Sequence, residues 1–142
     1  MTELKLLALD SEDLEVISAV TQDAVIRVAD LGYAVGDKRF AALMNRYAWE
    51  VAGGRSAGQR RRAALSFARV EQVAYAHINM NAAEGVLELL DIKFEPTEAP
   101  AGTIELRFAG GGTIRLGIEV IEARLEDLGA VWAAKAKPEH SV

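Results

Sequence analysis

Cysteine is absent from the 142 residues of this chain, and several other residue types are scarce. The absence of cysteine excludes disulfides, thiolate catalysis and zinc or iron–sulfur centres with cysteine ligands, and it is compatible with a reducing cytosol. Of the two histidines, His77 and His140, the second lies near the end of the sequence, so a histidine-dependent active site has one imidazole at most. Aromatic residues form 6% of the chain, which predicts a core of small aliphatic side chains around a few large ones.

Long apolar runs are also missing. No stretch approaches the length that a membrane span requires. Residues 1–9 do not resemble a secretory signal, because they carry an acid and a single lysine and an acidic segment follows them. We therefore expect a cytoplasmic protein that makes no membrane contact.

The charge of the chain is unevenly distributed along the sequence. The formal net charge is −5, made of −5 in residues 1–23, +5 in residues 24–83 and −5 in residues 84–142. These three segments either neutralise one another in the folded protein or leave a basic binding face built from the middle segment.

The clearest structural signal lies in residues 102–120, where two period-two patterns flank a turn. Gly110, Gly111 and Gly112 separate the two patterns and supply the positive φ angles that a short hairpin connection needs. A phosphate-binding loop is a poorer interpretation, because such a loop opens into a helix rather than a strand. We predict one continuous core from the alternating residues and the segment after them: Leu106, Phe108, Ile114, Leu116, Ile118 and Leu125.

From Ile121 the apolar spacing changes to one that fits a helix, with Leu125, Leu128 and Trp132 on one side. At the other end of the chain we predict a short strand from Leu4 to Ala8 and a helix capped by Asp10. Between them, the β-branched and alternating segments predict strands at residues 24–33, 39–51, 63–70, 71–78 and 86–95, the last with Leu90, Ile92 and Phe94 facing inward.

This order predicts an α+β fold that is mainly β. The expected architecture is a pleckstrin-homology-like half-open antiparallel barrel of about seven strands, with a C-terminal helix over one open end and an N-terminal strand–helix extension. The alternative is a two-layer α+β sandwich. At this length a single domain over residues 1–142 is expected, with the extension at 1–23, the barrel and capping helix at 24–132, and a loosely held tail at 133–142.

The sequence also resembles a family of short, mostly alphaproteobacterial proteins that is catalogued as a domain of unknown function. The resemblance runs nearly end to end and is carried by LKLLALD at 4–10, QDAV at 22–25, NRY at 45–47, RRR at 60–62, IKFEP at 92–96, APAGT at 99–103, FAGGG at 108–112 and IEARL at 121–125. It implies no activity, cofactor or catalytic residue, because the family has no established function.

Four arginines form the strongest candidate binding site: Arg55, Arg60, Arg61 and Arg62, with Arg46 and Arg69 expected nearby. No acid occurs between Val51 and Val70, and three glycines lie among the first of these residues. Guanidinium groups suit phosphate or carboxylate, so residues 53–62 are predicted to form a mobile, exposed loop that binds an anionic partner. The alternative is a solvated loop with no ligand.

Two aromatic residues are candidate interface anchors. Tyr47 and Trp49 share one face of their predicted strand and lie beside arginine, a combination that often dominates binding energy. Burial in the core is the alternative. An antiparallel sheet with open edges could also pair with another copy of the chain or with a peptide.

The case for an enzyme is weak. Asp10, Glu12 and Asp13 could bind a cation or perform acid–base chemistry, but their place at a helix start is explained by capping. His77 is expected to be a strand residue beside Tyr75. We predict no catalytic residue, no metal and no cofactor.

The sequence thus favours a non-enzymatic protein-interaction or scaffold domain. An acidic protein partner fits better than nucleic acid, because the chain is acidic overall and lacks a stacked-aromatic RNA-binding motif. The alternatives are an anion- or nucleic-acid-binding module that uses the arginines and, more remotely, a carboxylate-based hydrolase or lyase.

Overall fold

The computed structural model describes residues 4–47 and 60–128. In these two ranges the chain forms one α-helix and ten strands: β1 (Lys5–Ala8), α1 (Ser11–Val20), β2 (Val25–Arg27), β3 (Leu31–Ala34), β4 (Arg39–Tyr47), β5 (Arg60–Phe67), β6 (Val70–Ala76), β7 (Val86–Pro96), β8 (Gly102–Phe108), β9 (Thr113–Ile118) and β10 (Ala123–Asp127). All of the strand pairs among them are antiparallel. The fold is therefore α+β and mainly β, as the sequence predicts.

The strands form one open sheet in the order β1-β10-β5-β4-β2-β7-β8-β9-β6, with β3 also paired to β4. β7 belongs to both halves of the sheet, since its first residues pair with β2 and the rest pair with β8. Buried side chains from both halves form a single hydrophobic cluster. The sheet thus bends around one core, and we call the side that faces this core the inner face.

The N-terminal residues are part of this sheet. β1 pairs with β10, and α1 packs against β1 and β7. Asp10 caps α1 as predicted, because its Oδ1 accepts a hydrogen bond of 2.8 Å from the Asp13 amide. Leu14 and Ile17 are the buried face of the helix. With ten residues, α1 lacks the length and apolar character to cross a bilayer, and no other α-helix occurs in residues 4–47 and 60–128.

The hairpin of β8 and β9 confirms the clearest sequence signal. Gly110 and Gly111 take φ angles of +90° and +100°, and the Phe108 amide donates to the Gly112 carbonyl at 2.9 Å. The six predicted core residues, from Leu106 to Leu125, all belong to the single buried cluster.

The predicted helix from Ile121 is wrong for residues 123–127, which form β10 between β1 and β5. The buried residues there are Ala123, Leu125 and Asp127, so the period is two rather than helical. This alternation is not evident from the sequence, because the third buried position, Asp127, is an acidic residue. Trp132 lies outside the described residues.

Three strand predictions also need correction. The strand predicted for residues 24–33 is divided by a 3₁₀ turn at Val28–Asp30 into β2, which lies between β4 and β7, and β3, which pairs with β4. Because of this division and the extra strand β10, the described residues contain more strands than the sequence predicts. Residues 60–62 belong to β5 rather than to a loop. Leu90 faces outward, 44% exposed, because a register shift between Leu89 and Asp91 reverses the alternation in β7.

Candidate functional site

Arg60, Arg61 and Arg62 form the start of β5, paired with the end of β4. Their partners in register are Tyr47, Arg46 and Asn45. Strand alternation therefore sends Arg60 and Arg62 to the outer face and Arg61 to the inner face. The prediction that these three residues share one flexible binding loop is wrong, because the ladder with β4 holds them in place and separates their side chains.

Arg60 is the most exposed of the three, and its guanidinium has defined contacts. Its Cζ lies 3.9 Å from the centroid of the Tyr47 ring, a cation–π contact. Its Nη1 donates to the Asn45 carbonyl at 3.0 Å and to the Asp23 carbonyl at 3.4 Å. Tyr47 thus serves as a platform for this arginine.

The other predicted members of the arginine site are dispersed. Arg62 lies 3.6 Å from the Asp30 carboxylate, and Arg69 pairs with Glu122 at 3.4 Å. Arg46 is fully buried and belongs to the interior rather than to a basic surface. Trp49 and Arg55 lie outside the described residues.

A second candidate site, which the sequence did not indicate, is a groove between α1 and β7. Its volume is about 380 Å³. One wall is a polar stripe on α1 that includes Ser11, Glu15 and Ser18, with Gln22 just beyond the helix, and the other wall is β7 from Leu90 to Phe94. These helix residues are three or four positions apart, so they share one side of α1.

The β7 wall of this groove is a strand edge. β2 pairs with Val86, Leu87 and Glu88, and the Leu89 main chain still bonds to Asp23 and Ala24 just before β2. Beyond Leu89, β7 pairs with β8 alone within residues 4–47 and 60–128. The Ile92 amide points away from β8, because it donates to Ser18 Oγ of α1 at 2.9 Å. In an antiparallel pair the main-chain groups of alternate residues point to the same side. Phe94 and Pro96 therefore also direct their main-chain groups toward the groove.

The Phe94 ring is held in a defined position beside this edge. Gly102, which lies diagonally across on β8, has no side chain, and a Cβ atom there would lie 2.5 Å from Phe94 Cε1. The glycine therefore leaves the space that the ring occupies. Phe94 is partly buried and packs against the core cluster.

The outer face beside the groove carries a ladder of charges. Arg107 donates to both carboxylate oxygens of Asp91, at 2.7 and 2.6 Å, and Arg115 donates to Glu105 at 3.0 Å. The hydrogen bonds from Arg107 lower the pKa of Asp91 below its ordinary value. Lys93 is the exposed cation of the groove wall, and its neighbour on β8 is Glu105.

The residues considered for catalysis are separated and have structural roles. His77 follows the end of β6 at a φ angle of +59°. Asp10 caps α1, and Asp13 Oδ2 accepts from the Leu9 amide at 3.3 Å. Across residues 4–47 and 60–128, no group of three or more histidine, aspartate or glutamate side chains could hold a metal ion.

These features define a mainly β protein of the α+β class, built on one open antiparallel sheet. The chain belongs to the family described as "Protein of unknown function (DUF2948)", whose profile matches residues 4–140. No curated protein matches the sequence. The family description names no activity, so the function must be inferred from the chain itself.

Proposed function

We propose that this protein is a non-enzymatic interaction domain that binds an extended segment of a partner protein along the open edge of β7. The observation that carries the proposal is that, in the part of the chain that the structure describes, β7 beyond Leu89 pairs with a strand on one side only. An edge of this kind offers main-chain donors and acceptors to an added strand.

The neighbouring helix makes this edge a groove rather than a flat surface. α1 covers one side, and its Ser18 hydroxyl already satisfies the Ile92 amide at 2.9 Å. The main-chain groups that support binding are therefore the Ile92 carbonyl and both groups of Phe94, since Pro96 has no amide hydrogen. An edge this short, carrying Lys93 and ending in proline, disfavours indiscriminate pairing between copies and favours a specific partner.

The test is a proline at position 94. Phe94→Pro removes the amide that faces the groove and leaves intact the hydrogen bonds of its neighbours to β8, and Phe94→Ala is the control for loss of the ring. Extended peptides are selected from a displayed library against the unaltered protein, and their affinities are measured for both variants. We expect binding at least about tenfold weaker to Phe94→Pro than to Phe94→Ala, because a main-chain donor is missing. Equal affinities would reject the proposal.

A second candidate, favoured by the contact of Arg60 with Tyr47, is an anion site at the start of β5. The exposed Arg60 guanidinium is oriented by the ring and by two carbonyls, and it could receive a phosphate or carboxylate of an acidic partner. Arg55, Arg62 and Trp49 remain proposed members of this surface, whereas Arg61 points to the inner face. Replacing Arg60 with Ser should weaken retention on a polyanionic matrix and flatten its salt dependence, whereas Arg115→Ser, at a paired arginine elsewhere, should have a smaller effect.

We also propose a pleckstrin-homology-like barrel and a cytoplasmic location for this protein. The support for a pleckstrin-homology-like barrel is an open antiparallel sheet that bends around one core. β10 occupies part of the segment that was expected to supply the capping helix. The cytoplasmic location is supported by the absence of cysteine from the sequence.

A further inference from the structure

We infer that the segment bound at β7 runs antiparallel to that strand and carries three successive residues that are basic, apolar and acidic from its N- to its C-terminus. The inference rests on the proposed function and adds the chemistry of the partner. In this arrangement the apolar residue lies opposite Phe94, the acidic residue opposite Lys93 and the basic residue opposite Glu95.

The direction of the bound segment follows from the main-chain groups of β7. The Ile92 amide already donates a hydrogen bond to Ser18 Oγ, and Pro96 has no amide hydrogen. Phe94 is thus the residue of this edge that offers both a donor and an acceptor. In an antiparallel pair a single opposing residue exchanges both hydrogen bonds with it, and antiparallel pairing is slightly more stable per residue than parallel pairing.

The apolar residue is placed by strand alternation. A residue directly opposite Phe94 shares the inner face with its ring. On that side the groove is lined by Leu14 of α1 as well as by Ile92 and Phe94. An apolar side chain would therefore extend the hydrophobic core into the groove.

The two charged residues are placed by the outer face of β7. Lys93 and Glu95 are exposed, and neither has an ion pair within residues 4–47 and 60–128. Their neighbours on β8 leave them available, because Glu105 is engaged by Arg115 at 3.0 Å and the residue opposite Glu95 is Thr103. Opposite charges directly across a strand pair are favourable, so Lys93 selects an acid and Glu95 selects a base.

The helix wall reinforces this polarity. The Asp23 amide, just beyond α1, donates to the Leu89 carbonyl at 2.7 Å, and Ser18 contacts Ile92, so α1 runs antiparallel to β7. Glu15, one turn before Ser18, therefore lies toward the Pro96 end of the groove. The carboxylates of Glu15 and Glu95 therefore both favour a basic residue of the bound segment at that end. Asp91 at the opposite end is neutralised by Arg107.

The inference can be tested with two synthetic peptides that differ only in the order of three residues. One carries Lys-Leu-Glu and the other Glu-Leu-Lys, in the same Ser/Thr flanks, with both termini blocked so that terminal charges do not contribute. Affinities are measured by fluorescence polarisation at low and high salt. The unaltered protein should bind the first peptide about three- to tenfold more tightly, and added salt should reduce the difference. The double variant Lys93→Glu/Glu95→Lys should reverse the preference.

The matched control is Lys5→Glu/Glu126→Lys, which exchanges the charges of an exposed ion pair on β1 and β10, away from β7, and should leave the preference unchanged. Tighter binding of Glu-Leu-Lys to the unaltered protein would overturn the antiparallel direction. Equal binding of both peptides, each weakened by Phe94→Pro, would overturn the charge assignment and leave the proposed function standing. The inference would also be overturned if Phe94→Pro did not weaken peptide binding, or if neither peptide bound at millimolar concentration. In either case the library experiment would decide separately on the proposed function.

Discussion

Arg46 on β4 and Asp127 on β10 form a fully buried, bidentate ion pair across the intervening strand β5. Arg46 Nε lies 2.9 Å from Asp127 Oδ1, and its Nη2 lies 2.7 Å from Oδ2. Ala63 of β5, directly opposite Asp127, is small enough for the guanidinium to reach across the inner face. Asp127 Oδ2 also accepts from the Leu4 amide at 3.0 Å, so the pair also holds the residue that precedes β1.

The first prediction is that Asp127→Asn destabilises the protein by about 3–5 kcal/mol, because it leaves the buried Arg46 charge without its counter-ion. Urea unfolding measures the change. The matched control is Asp91→Asn, which breaks an exposed pair and should cost about 1 kcal/mol or less. Similar losses of unfolding free energy in the two variants would show that the buried ion pair matters no more to stability than the exposed one.

The second prediction concerns the hairpin core. Phe108 is 2% exposed and lies in the main cluster, so Phe108→Ala should cost about 3–5 kcal/mol through lost burial and the cavity it leaves. Leu90→Ala, at an outward-facing position of β7, should cost much less. Chemical denaturation of the two variants compares them, and a small loss for Phe108→Ala would contradict the observed register of β8.

The third prediction is that Gly102→Ala destabilises the protein by about 1–3 kcal/mol, as expected for overpacking. The new Cβ would lie 2.5 Å from Phe94 Cε1 and 2.6 Å from the Glu95 carbonyl oxygen, so the ring must move. The control is Gly36→Ala, where a Cβ would meet nothing within 4 Å. Thermal unfolding gives the stabilities, and NMR shifts of the Phe94 ring report its displacement. An unchanged ring in Gly102→Ala would refute the close packing.

The fourth prediction is a pH dependence that comes from Asp91. The hydrogen bonds from Arg107 lower its pKa in the folded state, whereas in the unfolded chain its pKa is about 3.9. As pH falls, the unfolded state binds the proton first. The stabilisation is therefore complete above about pH 4 and is lost as pH falls through the folded-state pKa.

The measurement compares the unfolding free energies of the unaltered protein and Arg107→Gln between about pH 6 and pH 2.5. Their difference should shrink below about pH 4 as Asp91 becomes protonated. Arg124→Gln, at an exposed arginine that has no ion pair in residues 4–47 and 60–128, should differ from the unaltered protein by a pH-independent amount. A constant difference for Arg107→Gln would mean that the ion pair does not set the pKa of Asp91.

Elements with a strong local pattern could be predicted from the sequence. The β8–β9 hairpin follows from alternation and a glycine turn, and the start of α1 follows from Asp10, since all of these signals lie within a few residues of one another. The outward orientation of the Leu90 side chain could not be predicted, because it depends on a register shift in β7. That shift lies where the pairing of β7 with β2 ends and its continuous pairing with β8 begins. The groove was missed for a similar reason: Ser18 and Ile92 are 74 positions apart, and only the packing of α1 brings them together.

The sequence by itself determined the α+β class, the N-terminal strand and helix, the hairpin and its core residues, because each depends on short-range periodicity, capping or turn chemistry. The tertiary structure alone decided that residues 123–127 form a strand. Their inner positions include an acid that looks like a surface residue in the sequence, and Asp127 can face inward only because Arg46, 81 positions away, neutralises it there. The tertiary structure also decided that Arg60 and Arg61 point to opposite faces and that, among residues 4–47 and 60–128, no strand covers one side of β7 beside α1. Both depend on which strands become neighbours, a long-range choice that local sequence patterns do not encode.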